Sequence, residues 1–295
     1  MKTKCIFRIA ALLAAFMIVF PAAVWAFPAD HFAAHSKLAQ GHWVKVKVTQ
    51  SGIHTITAAD ARNWGFSDFS RVRVYGMGGA QMSEALTADL PDDLPQLPVV
   101  RTADRLLFYA QGPTSWNYTT RGYAQGLQTQ NTYATEGYYF VSDAADDADV
   151  EAAPSAVAVP AGEPLTTFTE HIFHEQELDN PGQTGRLFIG ENYMNNMSQT
   201  FPFALTGRVA GTDVSVLTRF AYLVPSGRSK LSFKWNGNSL EDETLAATTN
   251  GEDHYQGVQV TRTFEMGSST DLNYTVAFTP GGTCRLARLD YMTVY

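Results

Sequence analysis

The segment His171-Ile-Phe-His174-Glu175 places two imidazoles and a carboxylate close together, the donor types that hold zinc. A zinc-binding helix spaces its two His at i and i+4, so that both face one side. Here the spacing is i and i+3, and the segment reads as a strand, on which those positions point to opposite faces. The pair is expected to be ordinary polar strand residues, and no metal site is assigned. Cys284 is the second of two cysteines, the other being Cys5 near the start. A nucleophilic thiol needs a base partner and an electropositive, exposed setting. Thr283-Cys284-Arg285-Leu286 instead heads an alternating apolar strand, so Cys284 is expected to be a small buried strand residue.

Asp143, Asp146, Asp147, Asp149 and Glu151 form an acidic run, but without the Asp-x-Asp-x-Asp-Gly order of a calcium loop. A solvated connector is the expectation. Gly76-Met-Gly-Gly79 follows a strand, as a nucleotide loop would, yet neither the following helix nor a βαβ frame is visible. It is expected to be a turn. Trp116, Tyr118, Tyr123 and Tyr133 supply aromatic faces that could stack on sugar rings or fill a small β core. There is no serine elbow, no paired-carboxylate motif and no phosphate loop. No catalytic, cofactor-binding or metal-ligating residue is therefore assigned, and no cofactor is expected.

The elements that would position these residues are mostly strands. Of 295 residues, 45% are hydrophobic and 12% aromatic, which excludes a disordered chain and leans towards β structure. The net charge of −8 offers nothing to a phosphate backbone, so no nucleic-acid partner is expected. Residues 1–26 read as a secretory signal: Lys2, Lys4 and Arg8, then the apolar run Ile9 to Phe20, then Val24-Trp25-Ala26 with small residues at the cleavage positions. Its removal takes Cys5 and three positive charges, leaving −11. The apolar run is shorter than the ~20 residues a spanning helix needs, and no other stretch approaches that length. An exported chain without a transmembrane segment is expected, in the periplasm or at the cell surface and outer membrane.

From Gly41 to Thr57, Val44, Val46 and Val48 alternate with Lys45 and Lys47, and Ser51-Gly52 suggests a hairpin turn to a second strand. Thr57 to Gly65 reads as one short helix. Arg71–Tyr75, Leu106–Ala110 and Tyr138–Val141 read as strands, with Gln111 to Gly137 an ordered surface loop. Residues 142–164 are small, acidic or Pro, and mark a linker. Beyond it, strands are expected at 168–173, 199–205, 213–223, 230–235, 258–264, 273–278 and 285–295, separated by Gly/Pro turns. The expected fold is all-β with one short helix: a β-rich N-terminal domain (27–141), then a β-sandwich or jelly-roll-like domain (165–295).

The order of segments carries a resemblance. Gly41-His-Trp43, Ser51-Gly-Ile-His-Thr-Ile-Thr57, Val74-Tyr-Gly-Met-Gly-Gly79, Asp92-Asp-Leu-Pro95, Leu106-Leu-Phe-Tyr-Ala-Gln-Gly112 with Trp116 and Tyr118, and Asn131-Thr-Tyr133 with Gly137-Tyr-Tyr-Phe140 follow one another. His174-Glu175, Thr184-Gly-Arg186, Gly190-Glu191 and Leu289-Asp-Tyr-Met292 continue the series. Over residues 36–295 this resembles the N-terminal part of the type IX secretion sortases of Bacteroidetes, the PorU family of gingipain-type cysteine peptidases. His54 stands where that family is expected to have Tyr. The family's Cys–His peptidase domain would lie beyond Tyr295, and Cys284 is not its nucleophile.

The resemblance implies a parent enzyme that removes C-terminal signal domains from exported cargo and passes the acyl group to anionic lipopolysaccharide. This chain would supply non-catalytic docking or cargo-positioning domains, inactive alone. Its partners would be type IX secretion components at the outer membrane and the cargo. Ending on an apolar strand, it would be a fragment of such a sortase. The alternative is a free-standing exported β-sandwich module that binds carbohydrate or protein.

Overall fold

The computed structural model describes residues 32–84, 90–117, 127–144, 150, 166–183, 185, 187–248 and 255–295. The signal segment, Cys5, Tyr118, Tyr123, Asp146, Asp147, Asp149, Glu151, Thr184, Arg186 and most of the expected linker lie outside them.

Alternating apolar residues build nearly everything. In the N-terminal part the strands are β1 (Val44–Val48), β2 (Gly52–Thr57), β3 (Arg73–Tyr75), β4 (Val99–Arg101), β5 (Arg105–Ala110), β6 (Thr114–Asn117), β7 (Leu127–Gln130) and β8 (Gly137–Ser142). They form antiparallel sheets in the orders β1-β8-β3 and β2-β5-β4, with β6 and β7 paired separately. One core lies between the two three-stranded sheets: Val48, Ile56, Val74, Leu106, Phe108 and Tyr139 meet there. The helix α1 (Ala58–Asn63) closes it, burying Ala61. Thr57 starts α1 with a capping box: its hydroxyl accepts from the Asp60 N–H at 3.1 Å, and Asp60 accepts from the Thr57 N–H at 2.9 Å.

Two expectations need correction here. β1 and β2 are not a hairpin: β1 pairs with β8 and β2 with β5, so the chain crosses from one sheet to the other at Gln50. Alternation fixes which side chains point inward, but it does not say which strand is the neighbour. The 111–137 loop is not wholly loop either, because β6 and β7 within it form a ladder from Thr114↔Gln130 to Asn117↔Leu127.

In the C-terminal part, β9 (Ile172–Glu175), β10 (Ser198–Ala204), β11 (Asp213–Leu223), β12 (Ser229–Trp235), β13 (Asn238–Ser239), β14 (Glu243–Leu245), β15 (Gln256–Glu265), β16 (Asp271–Thr279) and β17 (Leu286–Val294) make two sheets. Their orders are β10-β16-β12-β13, with β14 also on β12, and β15-β11-β17-β9. A single apolar cluster draws on both: Phe201, Leu231, Phe233, Val276 and Phe278 from one, Val214, Val216, Phe220 and Leu289 from the other. This is a β-sandwich, and its alternating residues point inward as the sequence indicates. Each fully buried Phe or Leu contributes about 1.5–3 kcal/mol. No sheet among the described residues combines strands of both parts. No helix among them is long and apolar enough to cross a membrane.

Candidate functional site at the joint between the two parts

The register of β17 creates the most unusual local chemistry. Phe220 of β11 faces Leu289, but the neighbouring Arg219 faces Tyr291, so the ladder slips and Asp290 is the extra residue of a bulge. Leu289 and Met292 stay in the core, and Asp290 and Tyr291 are both free to project from the outer face. Glu175 on the edge strand β9 pairs with Tyr291 and joins this surface.

The β6–β7 hairpin of the N-terminal part covers it. The Trp116 ring centroid lies 3.8 Å from that of His171, at 48°, and 5.8 Å from that of Phe173 in an edge contact. The Gln128 side-chain amide donates to Glu175 at 3.0 Å. Its carbonyl accepts from the Thr293 hydroxyl. Two adjoining clefts remain along the seam. One, of about 380 Å³, is lined by Tyr133, Glu136, Tyr138, Glu177 and Phe188 among others. The other, of about 170 Å³, is lined by Gln128, Glu175, Glu177, Arg219, Asp290 and Tyr291 among others.

Three carboxylates therefore converge where sequence reasoning saw no paired carboxylates. Burial pushes the Glu175 carboxyl up, against the Gln128 amide that favours its charged form. Burial also pushes Glu177 up to about 7, helped by the negative charges of Glu175 and Asp290 and by a hydrogen bond shared with Glu175. Asp290 is raised by burial even though the Arg219 Nε donates to it at 3.0 Å. A carboxyl group that titrates near neutrality can hold or release a proton under ordinary conditions. Glu175 and Glu177 are close in sequence, but Asp290 is remote, and only the bulge brings it in. No local spacing announces that.

The residues singled out from sequence lie apart. His171 packs on Trp116, while His174 faces the other side of β9, where its Nε2 lies 2.5 Å from Glu191 Oε1 and its ring 4.8 Å from Phe201. Among the described residues, no group of three or more His, Cys, Asp or Glu is arranged to hold a metal ion. Cys284 is half-buried rather than fully buried, and its thiol donates to the Leu286 carbonyl at 3.3 Å. Burial raises its pKa, the reverse of nucleophile activation. It precedes β17 rather than lying in it. Asp143 accepts from the Ser67 N–H at 3.3 Å. Gly76 to Gly79 is irregular chain leaving β3 rather than a hydrogen-bonded turn, packed on the core, where a Cβ on Gly78 would sit 2.6 Å from the Tyr139 hydroxyl. Of the loop aromatics, Trp116 is covered by His171 and is no open platform, whereas Tyr133 is exposed at the larger cleft.

Neither a family model nor a curated protein matches the chain. Among solved structures, a family 35 carbohydrate binding module from Clostridium thermocellum aligns at 17% identity and a TM-score of 0.26, over 42% of this chain and 91% of its own. A carbohydrate binding module of a Cellvibrio mixtus lichenase aligns at 16% and 0.21, over 36% and 89%. Both overlaps are too poor to carry an argument. Dimeric latent PorU from Porphyromonas gingivalis is different: 32% identity and a TM-score of 0.76 over 90% of this chain, equal to 25% of that protein. The chain thus spans about a quarter of the PorU it matches, and over that span it has a PorU-like fold.

Proposed function

We propose that this chain acts as the non-catalytic N-terminal region of a type IX secretion sortase of the PorU kind. The observation that carries the reading is the match to PorU over nine-tenths of this chain but only a quarter of that one. In this reading residues 1–26 are an export signal, residues 27–141 and 165–295 are two β domains, and residues 142–164 connect them. The domains dock or align a cysteine peptidase domain that removes C-terminal signal domains from exported cargo, at the periplasmic or outer face of the outer membrane. The open edges of β10 and β15 suit pairing with another β partner.

The direct test uses purified residues 27–295 and peptides spanning the junction between cargo and its C-terminal signal domain. No turnover is expected, with or without Cys284→Ser. Thiol-dependent cleavage that disappears in Cys284→Ser would overturn the non-catalytic reading.

A further inference from the structure

We propose that the larger cleft at the seam is a carbohydrate-binding site, in which Tyr133 stacks on the apolar face of a neutral sugar ring while the oxygens lining the cleft pair with its hydroxyls. This goes beyond the sortase reading and does not rest on it.

The cleft suits such a ligand. Its volume of about 380 Å³ lies within the ~300–1,000 Å³ usual for small-molecule sites, and it stands between two packed units, where such sites concentrate. Tyr133, Thr135, Glu136 and Tyr138 reach it from the N-terminal part, and Glu177 and Phe188 from the C-terminal part. The lining thus combines aromatic rings with a hydroxyl and two carboxyl groups. A pyranose has the matching duality: C–H bonds on its faces for a ring to cover, and hydroxyls around its rim for oxygen acceptors. Glu136 is already oriented, accepting from the Lys47 Nζ at 2.9 Å and from the Tyr138 hydroxyl at 2.7 Å. A carboxylate with two such partners keeps lone pairs for a further hydroxyl. The carboxyl groups of Glu136 and Glu177 favour a neutral sugar over an anionic one.

Tyr133 is the platform. It is 64% exposed, yet its loop is braced. The Asn131 side-chain amide donates to the Gly79 carbonyl at 2.8 Å, and the Asn131 N–H to the Pro113 carbonyl at 2.9 Å. Its side-chain oxygen accepts from the Tyr133 N–H at 2.9 Å. An aromatic side chain on a braced loop gives up little conformational freedom when a ligand arrives, which is what preorganisation requires.

The same geometry disfavours an extended peptide. Peptides that bind as added strands need a free sheet edge. β8, which supplies Tyr138, is the middle strand of β1-β8-β3, so it presents side chains to the cleft rather than an edge.

Calorimetric titration of the whole mature chain, residues 27–295, with cellohexaose, maltohexaose, chitohexaose and mannohexaose tests this. At least one is expected to bind with a Kd below about 1 mM. Tyr133→Ala is expected to weaken that binding about tenfold at an unchanged melting temperature, since it removes an exposed ring. Tyr133→Phe keeps the ring and is expected to bind like the parent. No binding of any of these sugars at about 1 mM overturns the proposal, and so does binding that Tyr133→Ala leaves intact. Neither result bears on whether the chain serves a sortase.

Discussion

The Trp116 ring lies against the His171 imidazole with 3.8 Å between centroids, joining the N-terminal hairpin to the residue just before β9 of the C-terminal sheet. In sequence the two suggest different chemistries, a sugar platform and a metal ligand. In the fold each explains the other, because the indole face is covered and the imidazole is committed to a ring contact.

Trp116→Ala should uncouple the two parts. Aromatic pairs of this kind contribute about 0.5–1.5 kcal/mol beyond area burial, and Trp116 also touches Phe173. The expected outcome is faster amide hydrogen exchange in residues 114–117 and 127–130 and two separable denaturation transitions, while β11 amides stay protected. A single unchanged transition would show that the ring contact does not hold the joint.

Phe220 is the centre of the sandwich core. It is fully buried, with the Tyr193 ring 5.0 Å away and the Phe278 ring 5.4 Å away. Phe220→Ala should cost about 3–5 kcal/mol of C-terminal stability, measured by denaturant titration. A loss below about 1 kcal/mol would mean the site collapses without a cavity.

Gly78 has φ +84, and an added Cβ would meet the Tyr139 hydroxyl at 2.6 Å and the Gln111 carbonyl at 2.9 Å. That same hydroxyl accepts from the Gln111 N–H at 2.7 Å. Gly78→Ala should therefore destabilise the N-terminal part by more than about 1 kcal/mol, from backbone strain and from displacing Tyr139. Thermal melts of the variant and the parent decide it, and equal melting temperatures would count against the argument.

How much of this was legible depends on the range of the information. Strand β11 could be bounded from sequence alone because Val214 and Val216 alternate with Asp213 and Ser215 at its start and Pro225-Ser-Gly227 follows its apolar end. The capped helix was legible because Thr57 is a good N-cap and Gly65 a C-terminal stop; the Asp60 half of the capping box emerged only in the structure. The partners of β1 and β2 were not legible, since each strand's alternation fits a hairpin as well as two sheets. The carboxylate group was hidden for a stronger reason. A one-residue bulge turns Asp290 towards Glu175, and register slips of that kind leave no local signature in Leu289-Asp290-Tyr291.

Residues 142–164 should be the first cleaved by a broad-specificity protease, leaving products near 27–142 and 165–295. Small, acidic and Pro residues bury little area against the ~1–2 kcal/mol of backbone entropy each ordered residue costs. Two points resist: Ser142, the last residue of β8, is fully buried and its hydroxyl donates to the His42 carbonyl at 2.7 Å, and the Val150 carbonyl accepts from the Val99 N–H of β4 at 2.8 Å, so the cuts are expected between and beyond them. Intact mass measurement of early digests reads the sites. First cuts within residues 111–137, with 142–164 whole, would place the boundary elsewhere.

The proposed role in a sortase requires residues 27–295 to work inside a PorU chain. Its most direct test is a chimera in which residues 27–295 replace the matching quarter of PorU in Porphyromonas gingivalis cells lacking their own copy. The readout is removal of C-terminal signal domains from exported cargo, followed by mass. Processing by the chimera is expected, and none when the matching quarter is simply deleted. A folded, exported chimera that leaves cargo unprocessed would contradict it, as would full processing by the deletion.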